Sequence, residues 1–263
     1  MSTLDEVQRI SQAQFDRQSH RYAKGHILAE TSDVAQLVAR VPPGQARRAL
    51  DVATGAGHTG LFLAAAGWHV TLADLSAAML EQAKKLATER GLQVDARQHA
   101  AESLPYPDES FDLVTCRVAP HHFSDPDTFV RESARVLAAG GSLCVIDGSI
   151  EDGQPEAEEW LHQVEKLRDP SQQRFISRGR WRAMCEAAGL RVEYCELQPF
   201  LQPDLNWYFD TAATPEENRA AVLRLIENAP ESARRLFQLR DESAAGGKVT
   251  WYWQRLSLLA VKP

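Results

Sequence analysis

Residues Ala49 to Gly60 read Ala-Leu-Asp-Val-Ala-Thr-Gly-Ala-Gly-His-Thr-Gly, and Asp74 follows one helix and one strand later. An apolar strand runs into a turn of small residues, a helix starts, and the next strand ends on a carboxylate. This succession builds a pocket for a nucleoside-bearing cofactor at the edge of a doubly wound α/β sheet. It constrains the chain more than any other feature.

Two cofactor classes compete for the pocket. Gly55-Ala56-Gly57-His58-Thr59-Gly60 satisfies the dinucleotide pattern G-x-G-x-x-G. Asp74 lies at the distance expected of an acid that accepts from ribose hydroxyls, whichever adenosine ligand is bound. Asp51 tilts the choice. A carboxylate four residues before Gly55 would repel the pyrophosphate of NAD, strongly so in a site of reduced dielectric. For a cationic ligand such as S-adenosylmethionine (SAM) it is an asset, so Asp51 is placed near the methionine ammonium, directly or through water and loop amides.

Four segments carry a family resemblance. They are Leu50 to Gly57, Val70 to Ser76, Ala101 to Asp112 and Arg135 to Gly141. In this order and spacing, the stretch from Leu50 to Asp147 resembles the core of the class I SAM-dependent methyltransferases. It is most similar to the ubiquinone/menaquinone-biosynthesis type branch and its small-molecule relatives. The segment from Asp152 to Pro263 resembles that family poorly.

The resemblance and the local chemistry together give a set of cofactor-binding expectations. Gly55 and Gly57 let backbone approach the methionine end, with Thr54 beside them and Ala53 where the family has its first glycine. Asp74 takes the ribose hydroxyls. Leu75 and Met79 flank adenine, or simply pack as core. The Ala101 amide faces adenine with Glu102 beside it. The family usually has an Asp at the place of Ala100, so Glu102 or a backbone carbonyl must take over that hydrogen bond. Main-chain atoms of Arg117 and Val118 touch the methionine moiety. Tyr22 occupies the family's lid position and either closes over the cofactor or packs as a core aromatic.

The 263 residues suit one enlarged domain or a domain with a cap. A formal charge of −7 and a pI near 5.6 argue against nucleic acid, whose phosphates want a basic face. The basic cluster Arg174, Arg178, Arg180 and Arg182 reads as a solvated face or as caps for local acids. Cys116, Cys144, Cys185 and Cys195 form no C-x-x-C pair, which points to thiols in a reducing compartment. No signal-peptide pattern and no apolar run of about 18 residues is visible, so a cytoplasmic protein without stable membrane association is expected.

The periodicities predict helices from Leu4 to Gln18 and from Thr31 to Arg40. Alternating strands and helices follow: strands at Ala49–Ala53, His69–Asp74, Leu92–Gln98, Phe111–Arg117 and Ser142–Asp147, with intervening helices from His58, after Ser76 and from Pro126. Further helices are predicted at Pro155–Leu167 and Ser177–Ala188, and strands at Arg191–Leu197 and Val249–Val261. The expected architecture is a Rossmann-like, doubly wound, mostly parallel sheet of seven strands whose last strand is antiparallel. A helical lid (1–45) precedes the core (46–198). A substrate-side insertion (199–248) precedes the final strand (249–263), with Trp207, Tyr208 and Phe209 either walling the acceptor or packing the insertion.

His121 and His122 lie just past the fourth strand. They are a structural pair, a substrate-facing base or, least well supported, metal ligands, since no third ligand has suitable spacing. His122 is the candidate catalytic base. The function expected is SAM-dependent methyl transfer to a small, uncharged or weakly charged acceptor. The alternatives are an NAD-linked oxidoreductase and a non-catalytic SAM-binding protein. The sequence leaves the acceptor and the oligomeric state open.

Overall fold

The computed structural model describes residues 4–22, 27–42, 47–242 and 248–263. Five strands form its parallel half: β1 (Arg48–Val52), β2 (His69–Asp74), β3 (Asp95–Gln98), β4 (Phe111–Arg117) and β5 (Leu137–Ile150). Three shorter or later strands follow, β6 (Ile176–Ser177), β7 (Arg191–Gln202) and β8 (Arg240–Asp241), and then β9 (Val249–Val261). The sheet order is β3-β2-β1-β4-β5-β9-β7, with β6 beside β5 and β8 beside β9. Only β9 runs antiparallel along that path, inserted between β5 and β7. The order reverses between β1 and β4, so the crevice beyond their carboxyl ends is where a ligand is expected.

The seven-stranded expectation is corrected to nine strands among the described residues. The additional two, β6 and β8, have two residues each, too short to leave a periodic signal. β7 also runs past the predicted end at Leu197 to Gln202. Pro199 does not stop it, because β7 is an edge strand paired only with β9, and a missing N–H there need break no ladder bond.

Alternation explains the layers. Leu50, Val52, Val114 and Val145 point to one core, with Phe129 of α5 (Pro126–Val136) and Trp181 of α7 (Arg178–Ala187). Ala49, Leu113, Cys144 and Ile146 point to the opposite core, with Leu37 of α2 (Ser32–Val38), Leu63 of α3 (His58–Ala65) and Leu80 of α4 (Ala77–Glu89). Both faces are covered, so the strands read as nearly continuous apolar runs. The helix starts follow capping chemistry. Ser76 accepts from the Met79 N–H at 3.1 Å and Ser177 from the Arg180 N–H at 3.2 Å. Asp5 and Gln8 close a capping box at the start of α1 (Glu6–Gln18).

A third core lies beyond the sheet's carboxyl edge. It joins α6 (Pro155–Arg168), α8 (Leu205–Ala212), α9 (Glu216–Glu227) and α10 (Glu231–Leu236) to Trp251 and Trp253 of β9. The insertion therefore packs onto α6 and β9 through its own aromatic cluster. The four cysteines are buried and free.

Candidate active site

One cavity opens at the switch point. Of the residues expected at the site, all but Asp51, Gly57 and Tyr22 line it. The Tyr22 side chain lies outside the described residues.

Asp51 is 1% exposed and turned into the protein. Its carboxylate accepts from the Thr54 hydroxyl, from the Thr115 hydroxyl at 2.6 Å and from the Gly60 N–H at 3.0 Å. Asp51 is not among the lining residues, and through these bonds it ties the β1–α3 loop to the neighbouring strand. Burial pushes its carboxyl above the usual range, against these hydrogen bonds. Gly57 also works from behind the cavity. It caps α3 at φ 88°, and a Cβ there would lie 2.9 Å from the Ala83 Cβ. At Gly60 a Cβ would meet Leu72 at 2.1 Å, so that glycine permits close packing of helix on strand.

Asp74 does face the cavity. Its two oxygens accept from the Gly55 N–H and the Ser76 N–H, each at 2.8 Å. Burial pushes its carboxyl up to about 6, against the two backbone hydrogen bonds. A buried carboxylate with lone pairs still available is a natural acceptor for vicinal hydroxyls. Leu75, Met79 and Ala101 supply apolar lining next to it. Glu102 is committed elsewhere: one oxygen accepts from the Ser124 N–H at 3.0 Å, the other from Gln8 Nε2 at 3.0 Å. It anchors α1 over the site. The sequence did not single out His99, which also lines the cavity and whose ring meets the Ala100 carbonyl and the Tyr106 hydroxyl, each at 2.9 Å.

α1 lies across the cofactor side. Gln12 Nε2 donates to the Leu75 carbonyl at 3.0 Å, and the Ser76 hydroxyl to Asp16 at 2.5 Å. Ser11 and Phe15 of the same helix reach the cavity. At the end of β4, Val118 holds φ 52°, a costly conformation for a β-branched residue and one associated with functional sites. The Arg117 guanidinium grips Asp33 and the carbonyls of Leu28 and Glu30. It thereby ties the segment leading into α2 to the mouth of the site.

The two histidines have opposite environments. His121 Nδ1 meets Asp147 at 2.6 Å, and its N–H donates to the same carboxylate at 3.0 Å. Burial lowers its pKa, but the charge and hydrogen bond of Asp147, together with the charges of Asp169 and Glu165, raise it on balance. His122 Nδ1 meets the Ser171 hydroxyl at 3.1 Å, and that hydroxyl donates to Asp169 at 2.6 Å. This relay makes Ser171 an acceptor toward His122, so Nδ1 carries the ring proton and Nε2 presents a lone pair. Burial first, and the neighbouring His121 second, hold His122 well below its ordinary pKa. Among the described residues no group of three or more His, Cys, Asp or Glu is placed to hold a metal ion.

The far wall of the cavity is aromatic and basic. Trp207, Phe200 and Trp253 line it, as do Arg168 and Arg255. Tyr208 and Phe209 pack inside the insertion instead. Arg168 is neutralised by the fully buried Glu165 at 3.1 Å, which also accepts from the Tyr208 hydroxyl and from Trp253 Nε1. No periodic pattern marks Glu165, Arg168 and Asp169 as a network. Arg255 had one: it continues, at every second position, the strand face that carries Trp251 and Trp253. The arginines near α7 cap local acids, Arg178 with Glu151 and Arg180 with Asp127.

Known proteins resemble this chain over most of its length. A family model described as "Methyltransferase domain" matches residues 50–145. The chain is 32% identical to the uncharacterized methyltransferase YcgJ of Bacillus subtilis strain 168, over 85% of this chain and 88% of that protein. The crystal structure of YcgJ superposes with a TM-score of 0.80 at 29% identity, covering 89% of this chain and 99% of that one. The structure of BH2331 from Bacillus halodurans C-125 gives a TM-score of 0.81 at 30% identity, covering 88% and 99%. The ubiquinone/menaquinone biosynthesis C-methyltransferase UbiE of Xanthomonas campestris is 40% identical over 116 residues, 42% of this chain and 45% of that protein.

Proposed function

Since the chain belongs to the SAM-dependent methyltransferase family, we propose that it binds SAM and moves a methyl group to a small-molecule acceptor. The observation that carries this reading is one continuous cavity. It runs from the Asp74 carboxylate, past Leu75 and Met79, to His122 and an aromatic wall. The donor set fits the cofactor: a buried acceptor for ribose hydroxyls, a glycine turn and an apolar slot for a base. When bound, SAM supplies a methyl carbon activated by a sulfonium.

The chain's own residues do the rest. Asp74 accepts from the ribose, and Leu75, Met79 and Ala101 enclose adenine. The loop at Ala53, Thr54 and Gly55, with the Arg117–Val118 backbone, holds the methionine end. Asp51 and Gly57 act through the shape of that loop. α1 and the insertion exclude water and hold the acceptor in line, which accounts for a large part of catalysis in such a transfer. His122 Nε2 accepts the proton of an acceptor hydroxyl, or of a similarly acidic group, as the new bond forms. Its lowered pKa keeps it neutral and ready throughout the physiological range, though weak as a base.

The four buried thiols favour a reducing, cytoplasmic setting. No helix among the described residues is long and apolar enough to cross a membrane. The acidic balance favours a small molecule over nucleic acid. Calorimetry with SAM, S-adenosylhomocysteine and NADH tests the cofactor: binding of the first two without the third is expected, and NADH heat alone refutes the proposal. Transfer of radiolabelled methyl to a panel of acceptors then separates an enzyme from a protein that only binds SAM. Hydrogen exchange is expected to slow in residues 4–22 and in the insertion when S-adenosylhomocysteine is added.

A further inference from the structure

Two guanidinium groups at the cavity share one carboxylate. Arg117 takes Asp33 in a fork, with Nε at 3.1 Å and Nη2 at 2.9 Å. Arg255 reaches the same Asp33 through Nη1 alone, at 3.3 Å. Among the described residues no other carboxylate lies within pairing distance of Arg255. Its charge is also withdrawn from water: the side chain is 16% exposed and lies 3.5 Å over the Phe200 ring. Arg168, the other arginine on this wall, has Glu165 to itself. Arg255 is thus a cation in surplus, with four of its five N–H donors free of Asp33.

We propose that Arg255 is the recognition site for an anionic group, a carboxylate, on the methyl acceptor, and that the acceptor is therefore an apolar or aromatic acid. The inference rests on the methyltransferase reading and extends it to substrate class. A guanidinium presents a planar fork that matches a carboxylate, and in a desolvated wall such a pair is strong. The surrounding Phe200, Trp207 and Trp253 supply the apolar walls for the rest of the molecule. Burial first, and the neighbouring Arg117, lower the Arg255 pKa to about 10 against the pull of Asp33 and the more distant Asp147.

Arg255 and the cofactor-side residues come from different strands. The cofactor-side residues come from β1, β2 and β4 and the loops after them. Arg255 sits on β9, two strands beyond β4 in the sheet order, but its guanidinium comes beside that of Arg117 at Asp33, so acceptor binding is read with the cofactor product already bound. The acidic balance of the whole chain disfavours polyanions, but one buried arginine suffices for one carboxylate.

The test uses the full chain saturated with S-adenosylhomocysteine. Benzoate, phenylacetate and 3-phenylpropionate are titrated by NMR against their amides. At least one acid is expected to bind five-fold or more tightly than its amide, and Arg255→Met to remove that preference while S-adenosylhomocysteine affinity stays within two-fold. Arg255→Lys is expected to keep part of the preference. If no acid outbinds its amide, the proposal fails, and this comparison needs no variant to fold. If the preference survives in Arg255→Met, another group provides it and the proposal fails. If Arg255→Met instead weakens S-adenosylhomocysteine ten-fold, Arg255 serves the cofactor and the proposal again fails. Absence of S-adenosylhomocysteine binding to the unaltered chain would overturn the methyltransferase reading itself.

Discussion

The two halves of the cavity are built by different means. On the cofactor side, backbone groups and short-range bonds dominate: Gly55 and Ser76 donate to Asp74, and Thr54 and Gly60 donate to Asp51. On the acceptor side, side chains from remote segments converge. His122, Asp169, Trp207 and Arg255 all line the cavity, and Arg255 meets Asp33 across 222 residues of sequence. The first half is a turn that packs on its own strands. The second exists only once the helices beyond β5 and strand β9 are in place. On the proposed reading, a cofactor common to many enzymes suits the first arrangement, and an acceptor peculiar to one suits the second.

The contrast breaks most visibly at Glu165. Glu165→Ala leaves Arg168 charged and buried without its partner, a loss of about 3–5 kcal/mol. Urea unfolding should report it. If the halves are distinct, the extra hydrogen exchange should concentrate in α6, α8 and β9; a uniform rise over β1 to β4 would show a single unit.

Next in size is His122→Ala. General-base assistance is worth about 10²–10⁴-fold, and the weak basicity of His122 places this case near the lower end. Single-turnover rate should fall while S-adenosylhomocysteine affinity holds. A matching loss of affinity and melting temperature would make His122 structural. In the unaltered enzyme, the rate should show no acid limb from His122 near neutral pH, because its depressed pKa is crossed only far below that range.

Asp74→Ala probes the other half. Losing a hydrogen bond to a charged group should weaken S-adenosylhomocysteine by about 1.5–3 kcal/mol, with acceptor discrimination unchanged among variants that still turn over. Calorimetry that finds equal affinity would remove Asp74 from the ligand.

The smallest effect is on pH. Asp74 has its carboxyl raised to about 6, and ribose hydroxyls favour the ionised form. Affinity for S-adenosylhomocysteine should therefore be full above that value and fall as pH drops through it, by about ten-fold between pH 7 and pH 5. An affinity that rises on acidification would reverse the assigned role.

The same contrast explains what could be read without coordinates. The Gly55-to-Gly60 turn, the acid at the end of β2 and the Ser76 cap are local, so spacing alone placed them. Asp51 shows where locality ends. Its position at a strand end was right, but only burial reveals that Thr54, Thr115 and Gly60 claim its carboxylate. The same holds for Glu102, whose bonds to Gln8 and Ser124 join segments about 94 and 22 residues apart. Asp33, Glu165 and Asp169 lie in stretches with no motif, and their partners are set by tertiary packing. The strand face of Trp251, Trp253 and Arg255 was legible as a pattern, yet not the scarcity of counter-charge around its arginine.

β9 follows β7 in the chain but lies between β5 and β7 in the sheet. During synthesis each of β2 to β5 emerges with one parallel neighbour already made, whereas β7 must wait for β9 before it has any partner. The aromatic wall is thus completed late in the life of the nascent chain, after the β1–β4 side of the cavity can already have formed. Until β9 threads into its slot, the edges of β5 and β7 stay open to pairing with other chains.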